Sequence, residues 1–437
     1  MKPSLQAKPS LQAKPSLQAK PSLQAKPSLL EISEAARQAC ADRIGIAKLA
    51  KLAFDGKDIR SIWQELMARM LDDNGDVGEG LDLSLLAQLL GDKPTGLAIQ
   101  HEVLLRHQLF RAPCASKSPH LRVLALAGAT DMGSNTPIEF LLEDAGIELM
   151  VLYVIPEAEL PVPLPDHDIA IVIASDSEDC REALRKIDAV AARWPRPLLN
   201  PPERVGNLDR DKLHRLLTGI EGLVIPATVD ADRAQLLQPA ALSDLAPELA
   251  FPLIIRPRGS HAGVGLAKVD DGAALKQYLD GRAEQTFFIS PFVDYASEDG
   301  LFRKYRVVFV DGGPYACHMA IADRWDIWYL NAGMSASVAK RQEEETFMRT
   351  FDIGFGRRHQ SALSDVASRV GLDYFIIDCA ETRDGSLLIF EADNTAVVHN
   401  MDPPSVFPYK PPQMRKIFEA FAAMLVRRVA TERERAA

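Results

Sequence analysis

The chain has 437 residues, enough for two or three domains, and 47% of them are hydrophobic, enough to fill their cores. A formal net charge of −10 argues against a nucleic-acid partner held by phosphate neutralisation, and no basic stripe occurs outside the N-terminal repeats and an Arg-rich C-terminal helix. No apolar run approaches the roughly 20 residues needed to span a bilayer, so a membrane is not expected as a partner either.

Residues 2–29 read Lys-Pro-Ser-Leu-Gln-Ala four times and then Lys-Pro-Ser-Leu. A proline every sixth residue breaks helix hydrogen bonding, and one Leu per repeat cannot build a core, so residues 1–29 are expected to be a disordered tail. Residues 30–116 carry Ala, Leu, Arg and Lys at helical spacing, which predicts three to five helices, the clearest at Ser84–Leu90 and Leu97–Phe110. This region is expected to be a docking or interaction element.

Residues 117–205 switch to strand–loop–helix–strand alternation. Leu121 opens a strand, a loop runs from Gly128 to Asn135, a helix is expected at Pro137–Ala145, and strands at Leu149–Val154 and Ile169–Ala174 precede a helix over about 179–193. The pattern predicts a small parallel sheet of α/β class. Its loop carries Asp131, Asn135 and Thr136, and Asn135 or Thr136 can serve as a plain helix cap ahead of Pro137. A last amphipathic helix is expected over Pro412–Thr431.

The cysteines, at 40, 114, 180, 317 and 379, are odd in number and scattered without a Cys-x-x-Cys pair. Neither a disulfide framework nor a zinc site follows, and a reducing cytoplasm is the expected setting.

Two stretches carry chemistry. Pro252–Arg256 reads as a strand entering a loop with glycines at 259, 263 and 265 that leaves through Lys268. Glycine removes the side chains that would keep oxyanions from backbone N–H groups, and Arg256 and Lys268 place positive charge at either end, so the loop is read as a phosphate cradle. The second stretch holds Asp384-Gly385 between two apolar runs, a two-residue hairpin signal. Counting outward sets Asp378 opposite Glu391 and Ile376 opposite Asp393, so Asp378, Glu391 and Asp393 are expected on one face. Three carboxylates this close repel unless a cation neutralises them, and an all-oxygen set suits Mg²⁺.

Together these stretches resemble the ATP-grasp superfamily, which includes D-alanine–D-alanine ligase, glutathione synthetase and the ribosomal-protein glutamate ligases. In that family a basic residue ending a strand precedes a Ser/Gly loop and a second basic residue twelve positions on, as Arg256 and Lys268 do around Ser260. The family's magnesium ligands are an Asp and, thirteen residues later, Glu-x-Asn, matched by Asp378, Glu391 and Asp393. Asp stands where Asn is usual and Asn394 follows, so the third ligand is open between these two. The resemblance covers residues 121 to about 410. It implies an α+β ATP-grasp fold: a small parallel-sheet domain at 117–205, an ATP-binding module in two parts at 206–290 and 291–437, and an additional helical region ahead of them.

It also implies ATP and Mg²⁺ as cofactors and further site residues. Phe288, Ile289 and Ser290 would form the hinge that reads the adenine edge. Arg306 would bind the transferred phosphate, assisted by Arg256 and by Asn331, and Lys212 would supply another phosphate-binding ammonium. Arg256, Arg306 and Asn331 are the implied catalytic residues. The resemblance further implies that the glycine-containing loop of the small sheet domain lines the substrate cleft, with Asp131, Asn135 and Thr136 as candidates. His318, His399 and Asn400 are candidates to touch the substrate, His318 equally a satisfied residue of the strand Tyr315–Ala320, and Trp325 with Trp328 reads as a lid or as core. The implied activity is ATP-dependent joining of a carboxylate to an amine. Two alternatives stand beside it: phosphoryl transfer to a hydroxyl, and a nucleotide-binding interaction protein. The expected partner is a small molecule or peptide, and homo-oligomerisation is left open.

Overall fold

The structure is a computed structural model that describes residues 28–72, 75–238, 241–260 and 263–436. The expectation for the repeat tail therefore lies outside the described residues.

The first sheet has six strands in the spatial order Ala41–Asp42, Leu109–Arg111, Glu148–Val154, Arg122–Gly128, Ile169–Val172 and Leu198–Leu199. Its centre is parallel, with Arg122–Gly128 flanked by Glu148–Val154 and Ile169–Val172. These strands read as continuous apolar runs because both faces are covered: every residue from Val123 to Gly128 is buried. The helix Arg181–Ala191 covers part of one face.

Among the described residues the N-terminal region forms five helices, but it is not a separate appendage. The strands Ala41–Asp42 and Leu109–Arg111 extend the first sheet, so a boundary at 116 cuts through it. The buried Asp82 also ties the region down. It accepts from Arg43 at 3.0 Å and from the backbone N–H of Ile44 and Gly45 at 2.6 and 3.3 Å.

The helix expected at Pro137–Ala145 is absent; the segment is a run of turns with i→i+3 bonds such as Phe140 N to Pro137 O at 3.1 Å. Ile138, Phe140, Leu141 and Leu142 are all buried. Glu139 turns inward and accepts from the N–H of Ala47, near the start of the helix Ile46–Phe54, at 3.0 Å. One helical face could not present these residues in so many directions, and tertiary burial overrides the local propensity.

The second sheet orders its strands Val229–Asp232, Thr286–Pro291, Leu253–Pro257 and Ala267–Val269. With the helix Gly272–Asp280 it encloses its own small core of Leu253, Ile255, Leu275, Leu279, Phe287 and Ile289. The third sheet orders Gly313–Ala322, Phe302–Val310, Tyr374–Glu381, Leu387–Asp393 and Leu223–Val224. The helix Arg210–Leu217 and the strand Leu223–Val224 pack with this third sheet, so the small four-stranded unit begins near 229 rather than at 206. The last helix runs Lys410–Ala436, longer than expected at both ends. Its Arg428 pairs with Asp311 and Asp373, and its Arg433 with Asp168, joining the third sheet to the first.

The architecture is α/β throughout, with a mainly parallel sheet followed by an antiparallel one and a mainly antiparallel one whose edge strand Leu223–Val224 pairs in parallel. Among the described residues no helix is long and apolar enough to cross a membrane. All five cysteines are free thiols.

Candidate functional site

The hairpin after Tyr374 decides which side chains meet. Gly385 N donates to Thr382 O at 2.9 Å and Thr382 N donates to Ser386 O at 3.0 Å, which makes a three-residue loop rather than the expected two. Gly385 takes φ +83°, the left-handed conformation that closes such a loop. The strands then pair Glu381 with Leu387 and Cys379 with Ile389, one residue out of the expected register. A bulge at Phe390 removes the offset, and beyond it Asp378 faces Glu391 and Ile376 faces Asp393. The carboxylates therefore stand where the sequence placed them, through a different turn and a compensating bulge.

All three line a cleft of about 1190 Å³ between the second and third sheets. Basic side chains of the chain itself supply part of their neutralisation. Asp378 is fully buried and receives Arg306 Nε at 2.8 Å and Lys304 Nζ at 2.8 Å from the adjacent strand. Burial pushes its carboxyl up, but Arg306 and Lys304 outweigh that and hold it well below the usual carboxylate range. Glu391 pairs with Arg210; burial pushes its carboxyl up, but Arg210 together with Lys304 and Arg256 outweighs that and lowers its pKa. Asp393 has no such partner. Its Oδ1 accepts from Thr395 N and Oγ1 at 2.6 and 2.8 Å, and burial, reinforced by the charge of Glu391, raises its pKa.

Asn394 does not enter the cleft. Its side chain donates to Ala174 O at 2.9 Å and its carbonyl accepts from Thr136 Oγ1 at 2.6 Å, so it locks the third sheet to the first. Of the two candidates for the third oxygen ligand, Asp393 is the one that faces the cavity.

The donor set fits a Mg²⁺ ion that shares phosphate oxygens. Both oxygens of Asp378 are occupied by cations, while Glu391 and Asp393 each keep one oxygen without a hydrogen bond among the described residues. No group of three or more His, Cys, Asp or Glu among the described residues is arranged to hold a metal alone. One or two carboxylates completed by phosphate oxygens is the usual Mg²⁺ arrangement, and a cation there would offset the burial, and the lesser Glu391 charge, that raise Asp393.

The second sheet roofs the same cavity. Arg256, Gly259, Ser260, Gly263, Phe288 and Ser290 line it. Arg256 is buried and donates from Nε to Ser260 Oγ at 3.1 Å; burial, followed by the neighbouring Arg210, lowers its pKa to about 10, so it stays charged at neutral pH. Ile289 lies on the opposite strand face, in the small unit's core. Gly265 is not in the lining: a Cβ there would sit 2.6 Å from Pro257 Cδ, so glycine is required for close backbone packing. Lys268 is not in the lining, although it pairs directly across the strands with the lining residue Ile254; its ammonium lies 4.7 Å from the ring centroid of the lining residue Phe292 and 3.2 Å from Asp270.

Lys212 does not reach the cleft; it donates to Gly206 O at 2.7 Å and pairs with Asp176 at 3.3 Å. Arg210, two positions earlier, does. Residues two apart on a helix point roughly 200° apart, so only one of the two could face inward, and the sequence does not say which. Lys304 carried a readable signal, because strand alternation puts it on the face of Arg306. Asn331 lines the cavity, but its amide groups hold the turn it belongs to, through Trp328 N at 3.1 Å and Asp326 O at 3.0 Å.

Asp131 lines the cleft and pairs with Lys93 of the N-terminal helices. Asn135 and Thr136 are spent on backbone, bonding Gly128 and Asn394 respectively. His318 lines the cavity with its Nδ1 buried and without a hydrogen-bond partner among the described residues, and burial, then Arg306, lowers its pKa well below the usual value. Asn400 likewise keeps a buried Oδ1 without a partner among the described residues. Trp325 and Trp328 line the cleft, as do His399, Lys410, Asp402 and Phe54. Lys410, Asp402 and Phe54 carried no motif.

No protein-family model matches the chain, and no curated protein matches it. Among solved structures, similarity is found to a RimK domain ATP-grasp protein from Sphaerobacter thermophilus, 17% identical with TM-score 0.41, over 70% of this chain and 99% of that one. A D-alanine–D-alanine ligase from Bacillus anthracis complexed with ATP is 12% identical with TM-score 0.41, over 72% and 100%. The D-alanine–D-alanine ligase from Coxiella burnetii is 10% identical with TM-score 0.45, over 72% and 97%. The functional reading rests on the geometry of this chain's own site.

Proposed function

We propose that the protein is an ATP-grasp ligase that uses ATP to join a carboxylate to an amine through an acyl phosphate, releasing ADP and phosphate. The observation that supports this reading is the meeting of two halves in one cleft. A glycine loop with Arg256 above faces Asp378, Glu391 and Asp393 below, with Lys304, Arg306 and Arg210 between them.

Glu391 and Asp393 would hold Mg²⁺, which when bound offsets charge on the phosphate oxygens. Arg256 and Arg306 are positioned to receive the charge that accumulates on a transferring γ-phosphoryl group, and their own positions are fixed in advance by Ser260 and Asp378. The substrate carboxylate attacks that group and ADP leaves; the amine then attacks the acyl carbon and phosphate leaves. Gly259, Ser260 and Gly263, which line the roof of the cavity, would help exclude water that would otherwise hydrolyse the acyl phosphate. Asp378 serves as anchor for Lys304 and Arg306.

The test is incubation with Mg²⁺, ATP and a panel of amino acids and peptides, with ADP and free phosphate measured and products weighed. A product equal to acid plus amine minus water, formed with equimolar ADP and phosphate, is expected. A phosphorylated product without free phosphate would make the protein a kinase, and no nucleotide turnover with any acceptor would remove the enzyme reading.

A further inference from the structure

The proposed ligase reading leaves the substrate end of the cleft unassigned, and three observations converge there. The first is where apolar surface is left open. Phe54 (44% exposed), Trp328 (46%), Leu330 (72%) and Val397 (44%) are large hydrophobic side chains in contact with water, and all four line this cleft. Apolar residues gathered on a concave wall are a binding surface more often than an accident of composition.

The second is a fixed hydrogen-bond donor. The backbone N–H of Met401 donates to His399 Nδ1 at 3.0 Å. A backbone N–H can only donate, so Nδ1 carries no proton and the ring's proton sits on Nε2. Nε2 has no hydrogen-bond partner among the described residues, and the ring is in the cleft lining. The site thus presents an N–H whose orientation is set before anything binds.

The third is what holds that ring. The His399 ring centroid lies 6.0 Å from that of Phe54 and 6.2 Å from that of Phe140. Phe54 ends the helix Ile46–Phe54, and Glu139, next to Phe140, binds the first turn of the same helix. The N-terminal helices, which have no counterpart in the nucleotide-binding parts of the cleft, therefore build one wall of the substrate end. Lys93 and Gln88 reinforce it, bonding Asp131 and the N–H of Met132 in the loop that faces the cavity.

We infer that the N-terminal helical region is a specificity element, and that the cleft selects an amino acid with an aliphatic or aromatic side chain. The side chain packs on Phe54 and Val397, and the carboxylate accepts from His399 Nε2–H. An acidic side chain at the same place would lose its hydration against Phe54 and Val397, and the nearest cations, Arg306 and Lys410, are already paired with Asp378 and with Glu344 and Asp402; a lysine side chain would lose its hydration too, with Asp402 already held by Lys410.

Direct binding tests this independently of ATP chemistry. L-leucine, L-phenylalanine, L-glutamate and L-lysine are titrated into the full chain without nucleotide, followed by calorimetry and by tryptophan fluorescence, since Trp328 borders the wall. Leucine and phenylalanine should bind at least 10-fold more tightly than glutamate or lysine. Phe54→Ala should weaken the two apolar ligands about 10-fold, and His399→Ala should weaken them similarly, with His399→Gln, which restores a side-chain N–H, recovering part of the loss. Equal or tighter binding of glutamate or lysine, no binding of any of the four, or an unchanged Phe54→Ala protein of normal melting temperature would overturn the inference. A chain that binds leucine yet never turns over ATP would instead overturn the ligase reading and leave this one standing.

Discussion

Asp378 and Glu391 stand directly opposite each other on neighbouring antiparallel strands, yet each is neutralised from a different direction. Asp378 is held by Lys304 and Arg306 on the next strand, and Glu391 by Arg210 on a helix. The division gives the two carboxylates different tasks: Asp378 has no oxygen to spare, while Glu391 keeps one facing the cavity.

Glu391→Gln tests that division. The amide keeps size and a hydrogen-bond acceptor for Arg210 but loses the charge. Glu391 is only partly buried, so stability should fall by no more than about 1 kcal/mol. Turnover of ATP should drop by roughly 10²–10³, the usual loss when one electrostatic contact to a developing charge is removed. Thermal melting and ADP release, measured side by side, check both halves; a near-normal rate would exclude Glu391 as a magnesium ligand.

Arg306→Met should act on stability, with a pH signature. The substitution leaves Asp378 buried with Lys304 alone, a cost of about 2 kcal/mol, below the roughly 3–5 kcal/mol of stripping a buried ion of its only partner. Because the folded pKa of Asp378 is depressed, its contribution is fully present above its unfolded value near 4 and is lost as pH falls through the folded value. The gap between wild type and variant in urea melts should therefore be widest above about pH 4 and narrow in stronger acid. A gap independent of pH over that range would mean that the loss comes from packing alone.

The carboxylate positions were legible because a strand's period of two is a rigid rule: Asp378, Glu391 and Asp393 must share a face once the register is set. The register itself came out right although the turn was misjudged, since the extra loop residue and the Phe390 bulge offset each other. That Arg210 neutralises Glu391 was not legible, because it comes from a helix 181 positions away in sequence. Lys304, 74 positions from Asp378, was readable only as a residue on the face of Arg306. Pro137–Ala145 failed as a helix for the same kind of reason, because Glu139 and its apolar neighbours answer to contacts with residues far along the chain.

Paired substitutions on the helix Arg210–Leu217 separate resemblance from geometry. Arg210→Met removes a cation that touches Glu391 and sits by Arg256, and should lower turnover at least 50-fold while making Mg²⁺–nucleotide binding measurably different in calorimetry. Lys212→Met removes a half-exposed pair with Asp176 outside the cleft, worth about 0.5 kcal/mol, and should leave turnover within about twofold. The reverse ranking would mean that the helix turns when nucleotide binds and brings Lys212 inward.

Gly259 and Gly265 have nearly the same backbone conformation, φ +72° at both, but different surroundings, so the same substitution should give different results. An Ala at 259 meets nothing within 4 Å and pays only left-handed strain, about 1 kcal/mol. An Ala at 265 adds a clash at 2.6 and 2.8 Å with the Pro257 ring, which cannot rotate away, for a total of about 3 kcal/mol. Because the small unit has its own core, the damage should stay local. Amide exchange in Leu253–Pro257 and Ala267–Val269 should accelerate strongly in Gly265→Ala and only slightly in Gly259→Ala, with the six-stranded sheet unchanged in both. Equal acceleration in the two variants would show that backbone strain, rather than the approach to Pro257, is what reserves position 265 for glycine.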